Sequence, residues 1–176
     1  MERLRQYALL LCAVLILGTA LGGCGERNSI SDYRDFPFSA VVSWTVGEMS
    51  VKARIDVSSD GTVCAEMMEP CELAGIVLIS QGKERKILCG DIELEAGGMD
   101  PFFDTVHLLL PVGTRRVVCT TEWEGVRVTY AEIEGEKKVE LYLEPESGAP
   151  IGIRCGETVL TVHSFEFRLQ KGEEIP

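Results

Sequence analysis

The stretch that most constrains this chain is Asp100-Pro101-Phe102-Phe103-Asp104-Thr105-Val106-His107-Leu108-Leu109-Leu110-Pro111. Asp100 suits a helix N-cap, and Pro101 suits the first helical position, where its missing N–H costs nothing. Phe102, Phe103, Val106, Leu109 and Leu110 then fall on one broad apolar face, and Pro111 stops the helix. Around it the sequence reads as strand and turn. Phe38, Ala40, Val42, Trp44 and Val46 alternate with more polar residues, as do Met49, Val51, Ala53, Ile55 and Val57 after Gly47-Glu48. This is the period-2 pattern of strands with one buried face. Asp60-Gly61 predicts a hairpin turn, Pro70 ends the next strand, and turn signals recur every eight to twelve residues. The count is about nine to eleven short antiparallel strands. A lone apolar helix among so many strands must bury its face against them. The expected fold is therefore α+β: a strongly curved antiparallel sheet, a half-barrel, wrapped around one central helix.

The N-terminus carries a different message. Arg3 and Arg5 precede an apolar run from Tyr7 to Leu21, which ends in Leu21-Gly22-Gly23-Cys24. A short positive region followed by an apolar core has the form of a secretion leader. The last four residues resemble a lipobox, which implies cleavage before Cys24 and diacylglycerol on its thiol, the anchor to a bacterial membrane. Residues 1–23 are thus expected as leader, 24–35 as a lipid-anchored tether, 36–169 as the half-barrel and 170–176 as a polar tail. The formal net charge of −11 opposes nucleic-acid binding and electrostatic adhesion to anionic lipid. Loss of the leader makes it one unit more negative.

Cys64, Cys71, Cys89, Cys119 and Cys155 remain after the leader and anchor are set aside. They lack the paired spacing of a zinc site, so no metal is expected, and they read as small buried hydrophobes. A Cys64–Cys71 bridge stays open. His107 and His163 are the candidate bases, but no G-x-S-x-G, Walker, H-E-x-x-H or EF-hand pattern accompanies them. No catalytic residue, cofactor or enzymatic activity is expected. Glu122/Glu124 and Glu132/Glu134 alternate as solvated edge carboxylates would. Of the adjacent Met67 and Met68, the first is in phase with Val63 and Ala65 and is expected inside.

Several motifs in order carry a family resemblance: the opening hairpin, Glu69-Pro70-x-x-Leu73-x-Gly75, the Gly82 turn, Asp100-Pro101-Phe102-Phe103, and Leu143-Glu144-Pro145-Glu146-Ser147-Gly148-x-Pro150-Ile151. Together they resemble the lipoprotein-carrier half-barrels of the LolA/LolB type, with the LppX-like and GerS-like lipoproteins. The resemblance implies a hollow between sheet and helix that holds a lipid or other hydrophobic ligand. Its lining would come from Val42, Trp44, Val51, Ile55, Met67, Phe102, Phe103, Val106 and Leu110. The same residues could equally be filled core, with the molecule acting on an envelope protein partner through its outer surface. Glu69 stands where the soluble carrier has a basic residue, and little chain precedes the first strand. Both departures favour an anchored receiver, lipid binder or envelope scaffold over a shuttle.

Overall fold

The computed structural model describes residues 32–96 and 98–168. The leader, Leu21, Gly22, Gly23 and Cys24 of the lipobox, and the polar tail lie outside the described residues. Eleven strands form one antiparallel sheet: β1 (Phe38–Val46), β2 (Met49–Val57), β3 (Val63–Glu69), β4 (Ile76–Gln81), β5 (Glu84–Cys89), β6 (Ile92–Glu95), β7 (Thr114–Trp123), β8 (Val126–Glu134), β9 (Val139–Leu143), β10 (Pro150–Cys155) and β11 (Thr158–Phe167). Their spatial order is β6-β5-β4-β3-β2-β1-β11-β10-β9-β8-β7. Two meanders are thus joined where β1 pairs with β11, from Phe38 opposite Phe167 to Ser43 opposite Thr161.

This order makes the helix unavoidable as a bridge. β6 and β7 are consecutive in sequence but occupy opposite edges of the sheet. Ten interstrand spacings would separate them by about 48 Å in a flat sheet. The connection, which includes helix α1 (Asp100–Val106), would then run nearly taut. Instead its residues are packed. Phe103 is 1% exposed, and it shares one core cluster with Val42 of β1, Ile55 of β2, Leu78 of β4, Leu141 of β9 and Leu160 of β11. A single cluster drawing on strands from both meanders requires the sheet to curl over α1. The sheet is open, with free edges at β6 and β7.

Pairing fixes which side chains face the helix. Ala40, Val42 and Trp44 of β1 lie opposite Ile55, Ala53 and Val51 of β2, and all six are buried. Ala65 and Met67 of β3 continue that face, while Met68 points away at 38% exposure. The alternation at the methionines is as the sequence predicts. On the other face, Trp123, Val128 and Tyr142 form a smaller cluster of their own. There the Trp123 ring lies over Gly152, where any Cβ would come within 2.4 Å of the indole.

The helix differs from its sequence reading in two ways. Regular α geometry stops at Val106, and His107–Leu109 tightens into a 3-10 turn. The N–H of Leu110 bonds to the carbonyl of His107 at 2.9 Å. The cause is Pro111, whose ring disfavours α geometry in the preceding residue; Leu110 adopts φ −124°, ψ 57°. Asp100 is also not the N-cap. Met99 holds that place without a side-chain cap bond, and the Asp100 carboxylate instead accepts from Arg85 at 2.8 Å.

The segment expected as tether gives its last four residues to the domain. Tyr33 is fully buried in a 3-10 turn, Tyr33–Asp35, edge-on to Phe38 and Phe165. Its hydroxyl donates to the carbonyl of Leu109 at 2.9 Å. Arg34 donates to the carbonyls of Pro111 and Gly113 and pairs with Asp32 at 2.6 Å. The incoming chain therefore clamps the C-terminal end of the helix. Tyr33→Phe leaves a buried carbonyl without its donor, so the unfolding free energy should fall by about 1–3 kcal/mol. Equilibrium denaturation of the variant checks this; an unchanged midpoint would contradict the clamp.

The cysteines correct the expectation of burial. All five in the described residues are free; Cys71, Cys89 and Cys119 are exposed, and only Cys64 and Cys155 are half-buried. Each exposed thiol sits on an outer strand or in a turn, where no second layer covers it.

Candidate functional site

Eight of the nine residues expected to line a ligand site, Val42, Trp44, Val51, Ile55, Met67, Phe102, Phe103 and Val106, are buried in the one cluster between sheet and helix. Leu110 packs against that cluster while half-buried. The structure brings all nine together.

The helix rests on this floor through a different set of contacts at each side. Toward β5, the Arg85 guanidinium spans Asp100 and Asp104 at 2.8 and 3.0 Å and lies 5.3 Å from the centre of the Phe103 ring. Toward β4, Nε2 of His107 sits 2.8 Å from the Ser80 hydroxyl. Toward the β9–β11 rim the packing opens into a cleft of about 490 Å³. Asp104, Thr105 and Leu108 form its helical wall, Cys155, Gly156 and Thr158 the opposite wall, and Lys137 and Lys138 its lip. Leu108 and Cys155 also pack against the main core, so the cleft floor is continuous with it. A second cleft of about 510 Å³ lies at the β5–β6 edge among Glu84, Arg85, Lys86, Glu93 and Leu94. Its lining is mostly charged.

Strand register locates the first cleft relative to the core. Cys155 lies opposite Thr158, and Ile153 lies opposite Leu160 one step inward on the same face. Because Ser43 pairs with Thr161, Trp44 comes beside Leu160. Trp44 is therefore one row behind the cleft. Its indole N–H is buried and has no hydrogen-bond partner among the described residues, as is also true of Trp123 on the outer face. Leaving such a donor unpaired costs about 1–3 kcal/mol, so it is an unmet demand for an acceptor inside an apolar chamber. The alternation in the sequence puts Trp44 on the buried face of its strand but cannot show that its nitrogen goes unpaired.

The two histidines serve as hydrogen-bond partners of serines. His163 reaches Ser43 at 2.8 Å on the exposed face. Ser80, the partner of His107, is 3% exposed, which denies a substrate access to its hydroxyl. Burial, helped by the nearby Arg85 charge, holds the His107 imidazole below its usual pKa despite the opposing pull of Asp104. The folded state thus resists a proton that the unfolded state accepts. Stability from this group is complete above the ordinary histidine pKa and declines as the pH falls below it. Denaturation midpoints followed from pH 7.5 to 5.5 should drop, and His107→Gln should flatten the slope. A slope unchanged by the substitution would contradict the assignment.

Glu132 corrects the reading of the paired acids as solvated. It is 9% exposed and forms a cluster on the outer face, accepting from Lys138 at 2.7 Å, Arg116 at 2.8 Å and the Tyr130 hydroxyl at 2.8 Å. Those donors hold its pKa down to about 2, the Lys138 bond contributing most. Sequence alternation placed Glu132 on the outer face but could not reveal that cross-strand partners would cover it.

No protein-family model matches the chain, and no curated protein matches it. Solved structures share its fold. An uncharacterized conserved protein of Thermus thermophilus aligns with TM-score 0.50 and 15% identity over 78% of this chain and 82% of that one. MucB aligns with TM-score 0.51 and 14% identity over 82% of this chain, which spans 57% of MucB. The Mycobacterium tuberculosis lipoprotein LppX aligns more loosely, with TM-score 0.38 and 11% identity over 80% of this chain and 88% of that one. At these identities the first two likenesses concern architecture alone: a large open antiparallel sheet with a helix on one face.

Proposed function

We propose that this chain is an extracytoplasmic lipoprotein of the bacterial envelope, moored by diacylglycerol on Cys24, whose half-barrel takes up a lipid or other hydrophobic ligand between α1 and the concave face of the sheet. The observation that carries this reading is the cleft beside α1, whose floor continues into the apolar cluster and stops one row short of the unpaired Trp44 nitrogen. Occupation would separate α1 from the floor, displacing the face of Phe102, Phe103 and Val106 rather than filling a preformed void.

The helix is suited to such a displacement. It has only seven α-helical residues, and the pairing of Arg85 with Asp100 and Asp104 that ties down its outer side is largely exposed. Exposed ion pairs of this kind contribute little, about 0–1 kcal/mol. Native mass spectrometry of the purified protein, with extraction of bound lipid, tests the reading. Co-purifying lipid in defined stoichiometry is the expected result. A protein that carries none, and that takes up none when offered, would overturn it.

The second reading, an interaction module for another envelope protein, has one specific observation in its favour. Both edges of the sheet are open and carry exposed apolar residues: Ile92 and Leu94 on β6, Val117 and Val118 on β7. Open edges of this composition are where an added strand pairs.

A further inference from the structure

The cleft beside α1 has a polarity that the hydrophobic-ligand reading alone does not require. Lys137 and Lys138 stand at its lip in a chain whose formal net charge is −11. Lys138 is engaged by Glu132 on the outer face. Lys137 is exposed and forms no salt bridge among the described residues. The acidic residue on the facing wall, Asp104, is already neutralised by Arg85 at 3.0 Å. Going inward, the lining becomes Thr105, Leu108 and Cys155, and behind them lies Trp44 with its unpaired N–H. Cations thus stand beside a lining of mixed polarity, in which Leu108 and Cys155 are the apolar side chains.

The loop that carries the lysines begins at Gly135, where a Cβ would lie 2.4 Å from the Val112 carbonyl. Val112 adjoins Gly113, whose carbonyl accepts from Arg34 in the incoming segment. The loop that carries the lysines and the incoming segment thus both adjoin Val112–Gly113.

Resting on the function proposed above, we infer that this cleft is the mouth of the hydrophobic site and selects single-chain amphiphiles with an anionic head. Lys137, with Lys138 beside it, holds the head; the chain lies along Thr105, Leu108 and Cys155. Trp44, one row behind the cleft, reports the arrival of the chain.

The test uses the full chain in nanodiscs of neutral phosphatidylcholine, with Trp123→Phe so that Trp44 is the single tryptophan. Oleate, lysophosphatidate, lysophosphatidylcholine and monoolein are titrated separately, with Trp44 emission and native mass spectrometry as readouts. The inference expects saturable binding of the first two, with the zwitterionic and neutral probes several-fold weaker. Lys137→Glu, a substitution at an exposed position, should weaken the anionic probes by about fivefold and leave monoolein unchanged. If carboxylate and phosphate heads differ, the tighter one names the natural class. Equal binding of all four probes, insensitive to Lys137→Glu, would overturn the headgroup selection and leave the hydrophobic site standing. Binding of none would overturn both.

Discussion

Phe103→Ala is expected to lower the unfolding free energy by about 3–5 kcal/mol, the loss typical of a buried phenylalanine ring. Phe103 is 1% exposed and sits where α1 meets the sheet, with Arg85 stacked on its outer side. Its removal takes away apolar contact with strands of both meanders and leaves a void that a short helix clamped at its C-terminal end by Tyr33 closes poorly. Leu94→Ala serves as the contrast. Leu94 is 50% exposed on the β6 edge, so its truncation should stay within about 0.5 kcal/mol. Denaturant titration of the two variants measures the difference. Similar midpoints would mean that α1 does not seal the concave face.

Gly113→Ala should be comparably damaging, by about 2–5 kcal/mol, for a reason that burial does not disclose. Gly113 has φ +141°, and an added Cβ would lie 2.3 Å from the carbonyl oxygen of Glu134 and 2.9 Å from Cγ2 of Ile133. The first obstacle is backbone of β8, which cannot rotate away. The position is also where the exit from α1, the start of β7 and the Arg34 contact converge, so any shift is transmitted to all three. Gly47→Ala is the matched control: φ is +61° with nothing within 4 Å, and only the left-handed backbone cost of about 1–2 kcal/mol remains. Equal losses at the two glycines would contradict the steric account.

What the sequence could disclose followed from how local each signal is. The strands showed themselves because alternation along Phe38–Val57 is set by one buried face, and the structure pairs those same residues across β1 and β2. The apolar face of the helix was visible for the same reason, since Phe102, Phe103 and Val106 obey the helical period. Its 3-10 end was foreshadowed by Pro111, though the sequence reading extended the helix to Leu110. Features that depend on distant partners stayed hidden. Tyr33 looks like part of a polar linker until Leu109, Phe38 and Phe165 are brought around it. Glu132 looks solvated until Arg116 on β7 and Lys138 in the following loop cover it. Asp100 has the chemistry of a cap, but Arg85 on β5 claims its carboxylate.

The candidate site was legible to the same extent. Periodicity selected the residues that meet between helix and sheet, because they all obey a local rule of burial. The cleft at the β9–β11 rim was not visible, since it is assembled from a helix, a lysine-bearing turn and a hairpin that are far apart in sequence. Nor could the sequence say that the indole nitrogen of Trp44 would lack an acceptor, a matter of what lies opposite it in space.

The central claim is that the sheet curls over α1, and the exposed thiols Cys89 on β5 and Cys119 on β7 allow a direct measurement. With Cys12, Cys24, Cys64, Cys71 and Cys155 replaced, spin labels on these two report the span of nine interstrand spacings by electron–electron dipolar spectroscopy. Bending that arc through a half-turn predicts a separation near 27 Å, on the order of two-thirds of the flat value. A distance of about 43 Å, that of an uncurled sheet, would contradict the account.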